Sequence, residues 1–135
     1  MKVKNVRRQE FVVGGWLPGE GALTGTVGSL VIGYYTERSD GEDRAARPVL
    51  QYAGRVGSGL TERDRAELAR VFARCGRESS PFGAGTPPKQ TRFVEPILVV
   101  EVKFTEWTSV GVVRQPTFVA FRTDKDADEV VREDQ

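Results

Sequence analysis

One helix-like segment stands between three strand-like runs and two further ones, and this order leaves few folds open to the 135-residue chain. Thr61 suits a helix N-cap, Asp64 suits the positively polarised first turn, and Gly76 suits a left-handed C-cap. We therefore predict a helix over 62–75. Its apolar face consists of Leu68, Val71, Phe72 and Cys75.

The strand-like runs are rich in β-branched and aromatic residues and are bounded by glycine, proline and polar residues. They cover 9–16, 28–36, 49–56, 97–107 and 112–121. Three strands, a helix and two strands are typical of the five-stranded Greek-key oligonucleotide-binding (OB) barrel, which carries its helix between strands 3 and 4. We predict this mainly β fold, with Pro116 at an edge or bulge because proline cannot donate to a central ladder.

The remaining segments are predicted to be connections. Residues 77–96 contain four prolines, which favours a long loop anchored by Phe82 and Phe93. Residues 40–47 are predicted to be a solvated insertion, and the acidic residues 126–135 a short helix or frayed end. Trp16 and Trp107 can stack on bases, but packing against the core is the favoured interpretation.

Composition excludes several kinds of site. The chain has no histidine and one cysteine, so Ser-His and Cys-His nucleophiles, the usual zinc sites and an internal disulfide are excluded, and no metal site is expected. No secretory signal or membrane span is recognisable, so we expect a cytoplasmic location. The net charge of +1 is too small to indicate nucleic-acid binding by itself.

Two short cationic clusters are suited to a polyphosphate. Arg122, Asp124 and Lys125 follow the last strand-like run, and Lys2 and Lys4 flank Val3 on one side of an extended segment. Arginine offers a planar donor fork, lysine a point charge, and aspartate can orient either of them or a magnesium-bound water. On spacing alone, a solvated strand end remains the alternative for the cluster near the C-terminus.

These clusters resemble known motifs. K-x-K at 2–4 and R-x-P-x-F-x-x-x-R-x-D-K at 114–125 resemble the last two motifs of the covalent nucleotidyltransferases, which include ATP-dependent DNA ligases and mRNA capping enzymes. The segments 7–16, 50–57 and 104–108 resemble the bacterial end-joining ligases of the D and C types. The resemblance extends from Lys2 to about Glu133, and the motifs occur in the family's order.

The resemblance implies the C-terminal OB domain of such a ligase. Residues 1–8 are then the end of the adenylation domain and a hinge, 9–125 the OB domain, and 126–135 an acidic tail. The implied partners are the adenylation domain of the same enzyme, duplex DNA with nicks or breaks and, through other domains, the end-joining protein Ku. The location would be the bacterial nucleoid, with no membrane association.

The resemblance also implies roles for single residues. ATP, with Mg²⁺ or Mn²⁺, is the implied cofactor in the complete enzyme. Lys2 and Lys4 would lie on the α-phosphate side. Arg122 and Lys125 would close over the β- and γ-phosphates with Asp124 orienting them, and Arg114 is a weaker candidate for phosphate contact. The residues implied in DNA binding are Arg7, Arg8 and Arg55.

The chain contains no K-x-D-G segment to carry an adenylated lysine, so we expect it to be inactive alone. Two alternatives stay open: the OB domain of a capping enzyme or RNA ligase, against which 104–108 argues, and a free-standing module that binds single strands. Exposed charges usually change folding stability by less than about 0.5 kcal/mol, so we expect Arg122→Ala and Lys125→Ala to leave folding almost unchanged.

Overall fold

The computed structural model describes residues 7–19, 26–36, 49–109, 111–122 and 130. Across these ranges it contains seven strands and one helix. In chain order these are β1 (Arg7–Pro18), β2 (Val27–Thr36), β3 (Val49–Val56), α1 (Glu62–Cys75), β4 (Arg92–Phe104), β5 (Glu106–Trp107), β6 (Val113–Arg114) and β7 (Thr117–Arg122). No helix in these ranges is long and apolar enough to cross a bilayer. The predicted insertion at 40–47 lies outside the described residues.

Within the described part of the chain, the strands form a five-stranded antiparallel sheet in the order β3-β2-β1-β4-β7 and a separate ribbon of β5 and β6. The edge strands β3 and β7 approach each other where the Phe118 N–H donates to the Ser58 carbonyl oxygen at 2.8 Å. This contact belongs to a parallel bridge between Ser58 and Thr117. The OB fold class is confirmed, although these described edges meet through a bridge and not through a continuous ladder.

Gly59 allows this close approach of the two edges. Its φ is +91°, a conformation that side chains rarely adopt, and a Cβ atom there would collide with the Phe118 carbonyl oxygen. A larger residue at position 59 would therefore force β7 away from the end of β3.

The predicted limits of the helix, 62 and 75, and its N-cap at Thr61 are confirmed. The Asp64 N–H donates to the Thr61 hydroxyl oxygen at 3.1 Å, and the Thr61 N–H donates to the Asp64 carboxylate at 3.0 Å, which forms a capping box. Leu68, Phe72 and Cys75 are buried against the sheet. They join a core of strand residues that includes Phe11, Leu30, Ile32, Val100, Val102 and Phe104.

The conformation predicted for Gly76 is wrong. Its φ of −66° and ψ of 151° are extended and not left-handed. Gly76 forms an antiparallel bridge with Val94, and the Arg77 N–H donates to the Phe93 carbonyl oxygen at 2.9 Å. The chain leaves the helix directly into pairing with β4, so it has no need of a left-handed cap.

The loop predicted over 77–96 ends earlier than expected, because β4 already begins at Arg92. Pro96 is accommodated where the β1–β4 register jumps: Leu98 lies opposite Val13, whereas Phe93 lies opposite Gly15. The residues between Phe93 and Leu98 therefore bulge, and a proline without an N–H costs no ladder bond there.

The rest of that loop covers the outer edge of β3. The Gly83 N–H donates to the Leu50 carbonyl oxygen at 2.9 Å, and the Tyr52 N–H donates to the Ala84 carbonyl oxygen at 3.0 Å. Phe82 packs edge-on against Tyr52, with ring centroids 6.0 Å apart. Phe82 is thus the anchor that the sequence predicted, and the loop satisfies donors and acceptors that an edge strand would otherwise expose.

The fifth strand predicted at 112–121 is divided in two. Its first part pairs with β5 as the short strand β6, and its second part is β7, which pairs with β4. Gln115, with a φ of 52°, and Pro116 turn the chain between them. Pro116 therefore lies outside the ladder, consistent with its missing N–H, and β7 is an edge of the described sheet.

Both tryptophans pack against the domain, as expected. Trp16 stacks on Phe72 with ring centroids 5.8 Å apart, and Trp107 packs edge-on against Phe104 with ring centroids 5.1 Å apart. In the acidic tail, Val130 is described and is 1% exposed, and its carbonyl oxygen accepts from the Tyr35 N–H at 2.8 Å. The prediction of a frayed end or helix is therefore wrong at Val130, which extends the core beside β2.

Candidate functional site

Arg122 lies at the end of β7 on the outer face of the sheet, in contact with two carboxylates. Its Nη1 atom is 2.9 Å from Glu10 Oε2 and 3.2 Å from Glu101 Oε1. Arg8 contributes a second cation, since its Nη1 atom is 3.3 Å from Glu101 Oε2. We refer to Arg8, Glu10, Glu101 and Arg122 as the ion-pair cluster.

Strand alternation and register create this cluster. Arg8 and Glu10 point outward from β1 because the residues on either side of Glu10, Gln9 and Phe11, are buried. Glu10 lies directly opposite Glu101 across the β1–β4 pair. On the next strand Ala120 lies opposite Glu101, and Arg122 follows it on the same face. Three strands that are distant in sequence thus bring the four groups together.

The electrostatics of the cluster are balanced. Two carboxylates directly opposite each other repel, and this arrangement is favourable only with cations between or beside them. The side chains of Glu10 and Glu101 are 17% and 16% exposed, whereas that of Arg122 is 32% exposed. The formal charges of these four residues sum to zero. Arg122, which the sequence predicts to contact phosphate, is thus paired with Glu10 and Glu101 in this conformation.

Arg114 lies elsewhere, on the ribbon of β5 and β6. Its Nε atom is 3.1 Å from Glu106 Oε2, and both side chains are more than half exposed. Arg114 is thus held beside an acidic neighbour across the ribbon. A pair so exposed is strongly screened by water, so it holds Arg114 only weakly.

Arg55 lines a surface groove at the far end of β1. The groove has a volume of about 570 Å³ and is lined by Leu17, Pro18, Gly19, Gly28, Ser29, Arg55, Pro88, Lys89 and Gln90. We refer to it as the Arg55 groove. Among these lining residues two are cationic and none is acidic. Burial raises the pKa of the Tyr52 hydroxyl, and the nearby Arg55 guanidinium partly opposes that rise.

The predicted site residues therefore occupy separate places. Arg8 and Arg122 share the ion-pair cluster, and Arg7 is in β1 one residue before Arg8. Arg55 lies near Pro18, at the other end of β1. Pro18 is ten residues after Arg8, and ten residues of extended strand span roughly 30 Å. Four predicted phosphate-site residues lie outside the described residues: Lys2, Lys4, Asp124 and Lys125.

Other chemistry finds little support in the described residues. Burial raises the pKa of the Cys75 thiol, which disfavours the reactive thiolate. The described ranges contain no group of three or more cysteine, aspartate or glutamate side chains placed to hold a metal ion. The described side chains are thus suited to binding and positioning, with charged groups as the means.

Sequence reasoning missed Glu10, Glu101 and Lys89. Alternation identifies Glu101 as outward-facing, but its position opposite Glu10 depends on pairing across about ninety residues, which no local pattern reveals. Lys89 is in a proline-rich connection and lies beside Arg55 only through the fold. A search for cations next to prolines could have singled out Lys89, which follows Pro87 and Pro88, but would not have shown that it lies beside Arg55.

Comparison with known proteins agrees with this architecture. The sequence model of the protein family described as ATP dependent DNA ligase C terminal region matches residues 23–125. The multifunctional non-homologous end joining protein LigD of Mycobacterium bovis is 40% identical over 136 residues, which cover 98% of this chain and 17% of the relative. LigD of Pseudomonas aeruginosa is 34% identical, with 98% and 15% covered. The chain thus spans less than a fifth of these relatives.

Solved structures show the same similarity in three dimensions. The ligase domain of Mycobacterium tuberculosis LigD superimposes with a TM-score of 0.81 at 40% identity, over 95% of this chain and 39% of that one. A mycobacterial DNA ligase D complexed with ATP and MES gives 0.73 at 40% identity, over 98% and 39%. With its OB fold and a family match over most of its length, the chain belongs to the family of ATP-dependent DNA ligase C-terminal regions.

Proposed function

We propose that this chain is the OB domain of an ATP-dependent DNA ligase and that it closes over ATP while a lysine of the adenylation domain is adenylylated. The observation that carries this proposal is the position of Arg122. It ends an edge strand on an outward face, and the segment to Asp124 and Lys125 follows it directly. A mycobacterial relative has been solved with ATP, which supports the choice of nucleotide.

The chemistry explains why cations are needed. The lysine of the adenylation domain attacks the α-phosphate, and pyrophosphate leaves on the opposite side. In phosphoryl transfer, catalysis comes mainly from positioning and charge neutralisation. We infer that Arg122 and Lys125 neutralise the β- and γ-phosphates, that Asp124 orients them, and that Lys2 and Lys4 act on the α-phosphate side. Arg114 is a secondary phosphate contact.

Magnesium or manganese would accompany the nucleotide and neutralise its phosphate oxygens. The carboxylates of the ion-pair cluster are engaged by arginines, so they do not form an oxygen-rich metal cage. We infer that the ion takes its ligands from the phosphates and the adenylation domain. The proposed role of this chain is to place cations, with residues 1–8 as the end of the adenylation domain and the hinge, 9–125 as the OB domain and 126–135 as the acidic tail.

The proposed DNA substrate is a duplex with nicks or breaks. The Arg55 groove offers Arg55 and Lys89 without an acidic lining residue among those described, which favours contact with a phosphate backbone. Arg7 and Arg8 provide a second, weaker contact, because Arg8 already pairs with Glu101. The names of the LigD relatives support a role in end-joining repair, in which Ku would act through other domains at the bacterial nucleoid.

The test separates the two chemical steps. In the ligase formed by this chain with its adenylation domain, Arg122→Ala or Lys125→Ala should slow enzyme-adenylate formation by about 10²-fold. Sealing of pre-adenylated nicked DNA should change far less. Arg77→Ala is a matched control, since Arg77 also pairs with a glutamate, at 3.5 Å, and its side chain is 31% exposed. Equal losses in both steps would refute the proposed role.

A further inference from the structure

Arg122 can pair with two sets of anions: the carboxylates of its own domain, which it contacts in this structure, and the phosphates of ATP, which it contacts in the proposed function. We propose that Glu10 and Glu101 act as a latch, which holds the Arg122 guanidinium on the sheet until the triphosphate replaces them. The latch would set the apparent affinity for ATP in the adenylylation step. This inference rests on the proposed function of Arg122 and adds two positioning residues to it.

The geometry supports a real hold on the guanidinium. One atom, Nη1, contacts both carboxylates. The 2.9 Å contact with Glu10 has the length of a charge-assisted hydrogen bond, and the 3.2 Å contact with Glu101 is at the long end of the N–H···O range. The two carboxylates are mostly buried, so water and salt screen these contacts less than an exposed pair. By contrast, Arg114 and its partner Glu106 are both more than 60% exposed. Arg122 is therefore the more firmly held of the two arginines.

The same geometry allows exchange. Carboxylate and phosphate oxygens are alternative acceptors for the arginine fork, so a triphosphate can take over the contacts that the glutamates make. Arg8 lowers the cost of this exchange, because it contacts Glu101 Oε2 at 3.3 Å while Arg122 contacts Oε1. When Arg122 leaves, Glu101 therefore keeps Arg8 beside it.

A latch has a measurable consequence for ATP. When only a fraction of the enzyme has Arg122 available, the apparent dissociation constant rises by the inverse of that fraction. Removing one latch charge therefore increases the available fraction and lowers the ATP concentration needed. Sealing of pre-adenylated DNA needs no ATP, so it should not respond.

The experiment uses the ligase formed with the adenylation domain. Glu10→Gln and Glu101→Gln keep size and an acceptor oxygen but remove the charge. Each should lower the KM for ATP in enzyme-adenylate formation by about three- to ten-fold, as expected for loss of one partly buried ion pair. Glu95→Gln is the control, because Glu95 pairs with Arg77 at another place on the surface. Its KM should be unchanged.

Repeating both substitutions in an Arg122→Ala background separates the latch from its premise. The decrease in KM should disappear there, because no guanidinium is left to hold. An unchanged KM in the natural background, or the same decrease without Arg122, would overturn the latch alone. Normal adenylylation by Arg122→Ala itself would overturn the proposed function, and the latch with it.

Discussion

The ion-pair cluster and the Arg55 groove both present arginine at the surface of one small domain, but they differ in how that charge is balanced. In the cluster, two arginines meet two mostly buried carboxylates within 3.3 Å. In the groove, the described lining residues include Arg55 and Lys89 and no acidic side chain. The formal charges of the four cluster residues sum to zero, whereas both charged residues among the described lining of the groove are cationic.

This difference is the one we expect if the two regions have the two proposed roles. A cation held by carboxylates exerts little long-range attraction, but it can be exchanged to another anion when geometry brings that anion close. A pair of cations with no acidic side chain among its described neighbours attracts a polyanion over a longer range and releases counterions on binding. The chain's formal net charge of +1 conceals this contrast, because charge distribution and not the sum decides binding.

The largest expected effect outside the adenylylation step is on DNA affinity. Arg55→Ala combined with Lys89→Ala should weaken binding of nicked duplex by about ten-fold or more at moderate salt. The plot of log binding constant against log salt concentration has a negative slope, and this slope should become less steep by about one for each lost phosphate contact. Affinity measured over a salt series tests this, with the double substitution Arg63→Ala and Arg70→Ala on the exposed face of α1 as control. An unchanged slope would remove the groove from the DNA interface.

Substitutions in the two regions should also differ in their effect on the free energy of unfolding. Arg122→Ala leaves Glu10 and Glu101 facing each other, so we expect a loss of about 1 kcal/mol of unfolding free energy. Arg55→Ala should cost less than about 0.5 kcal/mol. Urea unfolding followed by tryptophan fluorescence measures both. This revises the sequence-based expectation for Arg122, and equal stability of the two variants would restore it.

Arg8→Ala should act in the direction opposite to the latch substitutions. Without Arg8, Glu101 has one cation fewer beside it and should hold Arg122 more tightly. The KM for ATP in adenylylation should then rise by about two-fold, a small effect because the Arg8 side chain is largely exposed. Steady-state adenylylation at varied ATP measures it, and a decrease in KM would contradict the arrangement of the cluster.

The smallest effect concerns the hydroxyl of Tyr52, whose pKa the Arg55 guanidinium influences. Burial raises its pKa and the Arg55 guanidinium opposes the rise, so Arg55→Ala should raise the pKa of the Tyr52 hydroxyl further. Phenolate absorbance during an alkaline titration reports the change, with Tyr52→Phe identifying the signal. An unshifted titration would mean that Arg55 does not lie beside Tyr52.

Local interactions explain what the sequence predicted well. The helix Glu62–Cys75 depends on a capping box and an apolar stripe, all within fifteen residues, and its limits are confirmed. The proline at position 96 misled the prediction, because a bulge in the β1–β4 pairing accommodates it. Proline marks a loop only when no such irregularity is available.

Non-local pairing explains what the sequence could not give. Arg122 was recognisable as a candidate phosphate contact, but its partner Glu10 is 112 residues away in sequence. The pairing of β4 with both β1 and β7 decides which charges meet, and that choice depends on the whole sheet. The sequence therefore allowed Arg122 to be predicted as a site residue, but it did not allow its pairing with Glu10 and Glu101 to be predicted.

The central claim is that the two arginine-containing regions act in different steps, and measuring both steps for a variant of each region tests it most directly. Enzyme-adenylate formation and binding of nicked DNA should be measured for Arg122→Ala and Arg55→Ala in the same ligase. We predict that Arg122→Ala impairs adenylylation and spares DNA binding, whereas Arg55→Ala does the reverse. Parallel losses in both assays for both variants would contradict the division of labour between the ion-pair cluster and the Arg55 groove.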